Sequence, residues 1–175
     1  NKIRKYDTWH AMGQGATTGS LVVTLEALKE MHLTPEDIQL IQNDTKTCPD
    51  TGMAGASRSL YMDGNATIIA ANKLLAAMRK EDGTLRTYDE MKAEGIETKY
   101  LGRYETNTTP GLCRLDPNTG IGDPTPAFTY CLNLAEVEVD TKTGKTTVLK
   151  FTCVDFVGRI GNIDAVNGQA YSGIM

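Results

Sequence analysis

Apolar and polar positions along the chain alternate between a helical and a strand period. Leu21, Leu25, Leu28 and Met31 recur at offsets of four, three and three, which predicts a helix face, with Ala16, Thr17 and Thr18 as its first turn. A β-prone run at Tyr6, Thr8 and Trp9 and a glycine loop, Met12-Gly13-Gln14-Gly15, precede it. Thr34-Pro35-Glu36-Asp37 reads as a helix cap with proline at the first helical position, worth about one turn. Ile38-Gln39-Leu40-Ile41 follows as a short strand, and a turn-rich loop holding Asn43-Asp44, Pro49-Asp50 and Gly52 leads onward.

From about Ser57 the period is helical again. Leu60, Gly64, Ile68, Ala71, Leu75 and Met78 stack on one expected face, and Gly64 and Ala71 are small enough to let another element come close. Arg79-Lys80 suits the helix C-terminal dipole, so the helix should end there, before Gly83. Residues 83 to 127 are less regular, with one or two helical turns expected at Tyr88–Lys92 and a long loop from Glu105 to Pro126 of the kind that often serves binding. Phe128–Val139 and Lys145–Val157 are rich in β-formers and flank Asp140-Thr141-Lys142-Thr143-Gly144, so an antiparallel hairpin is expected. In its first strand Val137 and Val139 alternate with Glu136 and Glu138, which gives that end one wet face. After glycines 158 and 161 a last helix-like run starts at Ile163 and contains Gly168-Gln169. The fold class read from this order is α+β, helices packed on mixed, largely antiparallel strands, and no stretch resembles a linker that would split residues 1–175.

Composition narrows the partners. The 175 residues suffice to bury roughly 70% of the unfolded surface. The longest apolar run, Leu74 to Met78, falls far short of the roughly 20 residues a membrane helix needs. A net charge of −4 leaves no basic excess to neutralise a nucleic-acid backbone or grip an anionic membrane. Cys48, Cys113, Cys131 and Cys153 are too far apart for a CxxC metal or redox motif and, without a secretory segment, favour a reducing, cytoplasmic compartment. No metal-ligating set is read from this chain. The absent initiator Met and the apolar close at Ser172-Gly173-Ile174-Met175 read as a piece of a longer protein.

Chemistry concentrates in two loops. A glycine-bearing loop that opens a helix brings unpaired N–H groups and a positive dipole end to an anion such as phosphate. Gly13-Gln14-Gly15 opens the first helix; Gly55-Ala56-Ser57-Arg58 opens the second, where Ser57 offers a hydroxyl and Arg58 a charge-assisted fork. Neither is a Walker loop or a GxGxxG loop, and a tight turn with a helix cap explains them equally well. Gln14, between two glycines, offers an amide donor and acceptor to a heteroatom-rich ring, or is a surface glutamine in a flexible turn.

Taken in order, Met12-Gly13-Gln14-Gly15, Cys48-Pro49-Asp50-Thr51-Gly52-Met53-Ala54-Gly55-Ala56-Ser57-Arg58, the Glu136 to Lys145 hairpin and Gly168-Gln169 resemble the molybdenum hydroxylases of the xanthine dehydrogenase family. The likeness runs over essentially the whole chain and is to the molybdopterin-binding region of a bacterial aldehyde oxidoreductase. It implies that Gln14 contacts the pterin dithiolene and the oxygen environment of the molybdenum, with Gly13 and Gly15 as close-approach backbone. It implies that Gly55, Ala56, Ser57 and Arg58 cradle the cofactor phosphate near a cytosine dinucleotide extension, and that Gln169 is a further pterin contact. Ala56 stands where glycine is common, and its methyl group is tolerated at negative φ.

The family hydroxylates an aldehyde or heterocycle carbon with water-derived oxygen, passes electrons to 2Fe-2S clusters and uses a glutamate in Gly-Val-Gly-Glu as base. That motif and the cluster cysteines do not occur here, so no catalytic residue is assigned; Glu136 and Glu138 read as a solvated strand face. The resemblance therefore implies a cofactor-binding fragment, inactive alone, whose partners are the remaining domains of a homodimeric enzyme and a small aldehyde substrate. Two other readings stay open on the residues: a stand-alone phosphate-binding α+β module and a purely structural interaction domain.

Overall fold

The structure is a computed structural model that describes residues 2–52, 54, 55, 57–105, 116–122 and 128–174. Ala56 and Cys113 lie outside the described residues, as does most of the loop expected between Glu105 and Pro126. The chain forms two compact units, Asn1–Thr109 and Pro110–Met175.

The first unit is built on β1 (Ile3–Asp7), α1 (Ala16–Ala27), β2 (Ile38–Gln42), α2 (Ser59–Met78) and α3 (Tyr88–Ala93). β1 and β2 pair in parallel with Ile3 opposite Ile38 and Asp7 opposite Gln42, so α1 is the crossover of a βαβ unit. Thr34-Pro35-Glu36-Asp37 forms the expected capped turn, a 3-10 helix at Pro35–Asp37 with a reciprocal Thr34–Asp37 capping box. The first strand ends at Asp7, earlier than the Tyr6-to-Trp9 run suggests, and α1 begins where expected at Ala16.

The buried face of α1 is rotated from the leucine pattern, while α2 buries Gly64, Ala71, Leu75 and Met78 of its expected face and turns Thr67 inward in place of Leu60 and Ile68. On α1 the buried residues are Ala16, Ser20 and Thr24, with Leu28 just past its end, while Leu21 and Leu25 are only half-buried. On α2 they are Gly64, Thr67, Ala71, Leu75 and Met78, while Leu60 and Ile68 are exposed at 57% and 44%. The reason is a polar contact: Thr67 is one turn past Asp63 and donates to its carboxylate at 3.4 Å, so α2 turns its hydroxyl side inward beside Lys5. The apolar core proper is small, with Leu28, Ala71 and Leu75 at its centre and Ile3, Met31, Leu33, Leu74 and Leu85 around it. Contacts step the same way along both helices, from Ser20 and Asp63 on Lys5, through Val23 beside Gly64, to Leu28 with Ala71 and Leu75. α1 and α2 therefore run side by side in one direction, with both N-termini at the end where β1 and β2 finish.

The second unit holds β3 (Tyr130–Val139), β4 (Thr146–Phe156) and α4 (Ile163–Ile174). The two strands form the expected antiparallel hairpin, with a bulge between Glu136 and Val137. Asp140 caps its turn by accepting from the N–H of Lys142 at 2.8 Å and the hydroxyl of Thr143 at 2.8 Å, and Gly144 takes the positive φ of 74° that closes it. Tyr130, Leu132, Leu134, Val154 and Phe156 share one face of the ribbon, each more than half exposed.

Candidate functional site

In parallel α/β units ligands bind outside the carboxyl ends of the strands, because the helix N-termini and the connecting loops gather there. Residues 8–15 leave β1 and residues 43–58 leave β2, so the two glycine loops singled out in the sequence lie at the same end of the first unit. They are sewn together. Thr8 donates its hydroxyl to the carbonyl of Pro49 at 2.8 Å, and its oxygen accepts from the hydroxyl of Thr51 at 2.7 Å. Beside this seam is a cavity of about 330 Å³ lined by Thr8, His10, Asn43, Cys48, Asp50 and Thr51, among others. Cys48 is half-buried there and donates its thiol to the carbonyl of Ile41 at 3.1 Å, which makes it a structural thiol.

Gln14 folds back on its own loop. Its amide oxygen accepts from the N–H of Met12 at 2.5 Å, and its amide nitrogen donates to the carbonyl of His10 at 2.9 Å. An amide has two donors and two acceptor sites, so after these bonds one of each is left for a ligand, on a side chain whose direction the loop has already set. Gly13 and Gly15 have φ of 102° and 84°, left-handed values that disfavour any side chain, and Gly15 is the residue that starts α1. A Cβ built on Gly13 meets no atom within 4 Å, so its backbone borders open space.

The second loop ends in a strained turn. Ser57 has a positive φ of 54° and is exposed, a conformation uncommon for a residue with a side chain and typical of functional loops. Arg58, also exposed, is the first flanking residue of α2, and the N–H of Arg58 closes on the carbonyl of Gly55 at 3.4 Å. Among the described residues, neither N-cap, Gly15 of α1 or Arg58 of α2, caps its helix with a side chain, which suits the first amides to an acceptor such as phosphate. Gln169 sits on α4 of the second unit, exposed, and its carbonyl accepts from the Ser172 hydroxyl at 3.2 Å.

Underneath the loops is a buried polar cluster that the sequence reading missed. Lys5 donates its ammonium to the Ser20 hydroxyl at 2.7 Å and to Asp63 at 2.9 Å, and pairs with Asp7 at 3.0 Å. Its Nζ also lies 5.8 Å from the centre of the Trp9 ring. Burial pushes the Asp63 carboxyl above the usual carboxylate range, against the lowering pull of Lys5. The signal was in the sequence: Lys5 and Asp7 alternate on one face of a strand, where two charges two residues apart must both face in or both face out.

The donors here are neutral amides, hydroxyls and one guanidinium, and among the described residues no cluster of His, Cys, Asp and Glu could hold a metal. Such a set suits the heteroatoms and phosphate of an organic cofactor, and the open glycine backbone and uncapped helix ends fit one. A βαβ unit that offers such loops at its strand ends has the form of a cofactor-binding domain. The chain belongs to the molybdopterin cofactor-binding domain family, which matches residues 2–175. It is 38% identical over 172 residues to the aldehyde oxidoreductase of Megalodesulfovibrio gigas, covering 98% of this chain and 19% of that protein. The crystal structure of the aldehyde oxidoreductase from Desulfovibrio desulfuricans matches with a TM-score of 0.90 at 42% identity, over 98% of this chain and 18% of the other. The xanthine dehydrogenase of Dictyostelium discoideum is 26% identical over 152 residues, 84% of this chain and 11% of that one. The chain thus spans less than a fifth of the length of these relatives, and the family expected from its motifs is the family found.

Proposed function

We propose that the end of the first unit where β1 and β2 finish holds the pterin and phosphate parts of a molybdenum-bearing molybdopterin, in its cytosine dinucleotide form. Gln14 presents its remaining amide donor and acceptor to the pterin, and the backbone of Gly13 and Gly15 lets the ring come close. Gly55, Ala56, Ser57 and Arg58, with the first amides of α2, take the phosphate. Gln169 of α4 is a further pterin contact on the family resemblance alone. The observation that carries this reading is the shared direction of α1 and α2, which brings two uncapped N-termini to one end of the unit.

When bound, the molybdenum cofactor supplies the two-electron redox chemistry that places water-derived oxygen on a substrate carbon. The residues of this chain bind and orient; the proton-abstracting glutamate and the 2Fe-2S ligands belong to other parts of a larger cytoplasmic, homodimeric enzyme that acts on small aldehydes. Aldehyde is favoured as substrate by the two aldehyde oxidoreductases among the similar proteins. The test is Gln14→Ala in the full-length enzyme, with molybdenum and pterin quantified beside turnover. Loss of cofactor or of at least ten-fold in turnover is expected; full metal content with unchanged turnover removes Gln14 from the site.

A further inference from the structure

We infer that Asp7 is a positioning residue for this site, and that its carboxylate sets where both cofactor loops leave the strand pair. The inference rests on the cofactor reading above.

Asp7 is the last residue of β1 and only 2% exposed. One of its oxygens accepts from the N–H of Trp9 at 3.3 Å and from the side-chain amide of Gln42 at 2.6 Å. The other accepts from the Ser20 hydroxyl at 2.6 Å and forms an ion pair with the Lys5 ammonium at 3.0 Å. These four partners come from β1, the first loop, α1 and β2, so one carboxylate joins every element that frames the site except α2, which Lys5 reaches through Asp63. The Asp7 carbonyl in addition accepts from the N–H of Asn43, the first residue after β2. Asp7 therefore touches the opening residues of both loops, Trp9 in one and Asn43 in the other.

From Trp9 the constraint passes to Gln14. Trp9 is buried with its ring against Gly19 of α1, where an added Cβ would stand 3.3 Å from the ring, so neither partner has room to shift. The next residue, His10, offers the carbonyl that holds the Gln14 amide nitrogen. A buried cluster of two carboxylates and one ammonium is a poor stabiliser compared with apolar packing, but it admits one arrangement of its donors, which suits a device that fixes a loop. Asparagine has the shape of aspartate, yet carries only one acceptor oxygen and would turn an N–H₂ toward either Lys5 and Ser20 or Trp9 and Gln42.

The experiment compares three variants of the full-length holoenzyme: Asp7→Asn, Leu75→Ala as a core-destabilising control away from the loops, and Gln14→Ala. Hydrogen exchange is followed in residues 8–15 and 43–52, and molybdenum per protein is measured. Asp7→Asn should speed exchange in both segments at least ten-fold and lower molybdenum content at least two-fold, while Leu75→Ala leaves both within two-fold. Unchanged exchange in Asp7→Asn, or equal loosening of the loops in Leu75→Ala, overturns the inference. Should Asp7→Asn not fold, Gln42→Leu removes one donor and should loosen the same two segments about three-fold. Failure of both to fold also overturns the inference, because Asp7 would then determine the fold and not the loops. Unchanged molybdenum together with unchanged turnover in Gln14→Ala removes Gln14 from the site and leaves the exchange result standing by itself.

Discussion

The Thr8 hydroxyl donates to the Pro49 carbonyl at 2.8 Å and so joins two loops that are 41 residues apart in the chain. Each loop follows a strand of one parallel pair, and each precedes a helix whose N-terminal amides are uncapped. The bond ties the loop after β1 to the loop after β2.

Thr8→Val keeps the shape of the side chain and removes its donor, leaving the Pro49 carbonyl and the Thr51 hydroxyl short of a partner. The expected cost is about 1–2 kcal/mol of loop stability, read as about ten-fold faster cofactor loss from the full-length enzyme in mild denaturant. An unchanged release rate would show that the stitch contributes nothing to retention.

Two glycines should fail for different reasons. At Gly102 an added Cβ would lie 1.9 Å from the Ala66 carbonyl oxygen on α2, so Gly102→Ala forces backbone apart and should cost about 3 kcal/mol. Gly13→Ala meets no neighbour, and its cost of about 1–2 kcal/mol comes from the left-handed φ alone. Exchange rates should rise throughout α2 in the first variant and only within residues 8–15 in the second; the reverse pattern would contradict both assignments.

The Lys5 cluster predicts opposite outcomes for two charge removals. Lys5→Met leaves Asp7 and Asp63 buried without their cation and should destabilise the first unit by about 3–5 kcal/mol. Asp63 has a raised carboxyl pKa from burial, so its contribution is complete below the ordinary carboxylate range and falls away as pH rises through the raised value. Asp63→Asn escapes that loss. Its stability relative to the natural sequence should therefore improve from pH 4 to pH 8, measured as protection of α1 and α2; a deficit that grows with pH would refute the burial argument.

Glu90 titrates the other way. The Lys80 ammonium at 2.6 Å, then the backbone N–H and hydroxyl of Thr87, lower its carboxyl to about 2. Its support for α3 is complete above the ordinary carboxylate range and is lost as pH falls from there through about 2. Protection of α3 should drop across that window, and in Glu90→Gln it should begin lower and stay flat. A drop of equal size in the variant would place the titrating group elsewhere.

Local signals carried much of the fold. The cap at Thr34 to Asp37, the start of α1 at Ala16, the short helix at Tyr88 and the Asp140–Gly144 hairpin turn each depend on residues within a few positions of one another, so their chemistry is visible in the chain itself. The motifs also identified the family, since Gly13, Gln14 and Gly15 and the segment from Cys48 to Arg58 stand in an order that single motifs lack. The helix faces were harder to read. Leu21, Leu25 and Ile68 fit a helical period as well as Ser20, Thr24 and Thr67 do, and period alone cannot say which stripe meets a neighbour.

By itself the sequence determined the elements and the two glycine loops, because backbone propensity and turn chemistry act over short stretches. The tertiary structure alone decided that β1 and β2 pair in parallel, that α1 and α2 point the same way, and that Asp7 stands beneath both loops. Those facts depend on partners tens of residues apart: Lys5 with Asp63, Asp7 with Gln42, Thr8 with Pro49. A buried charge selects its partner by geometry and desolvation, and neither exists until the chain has folded.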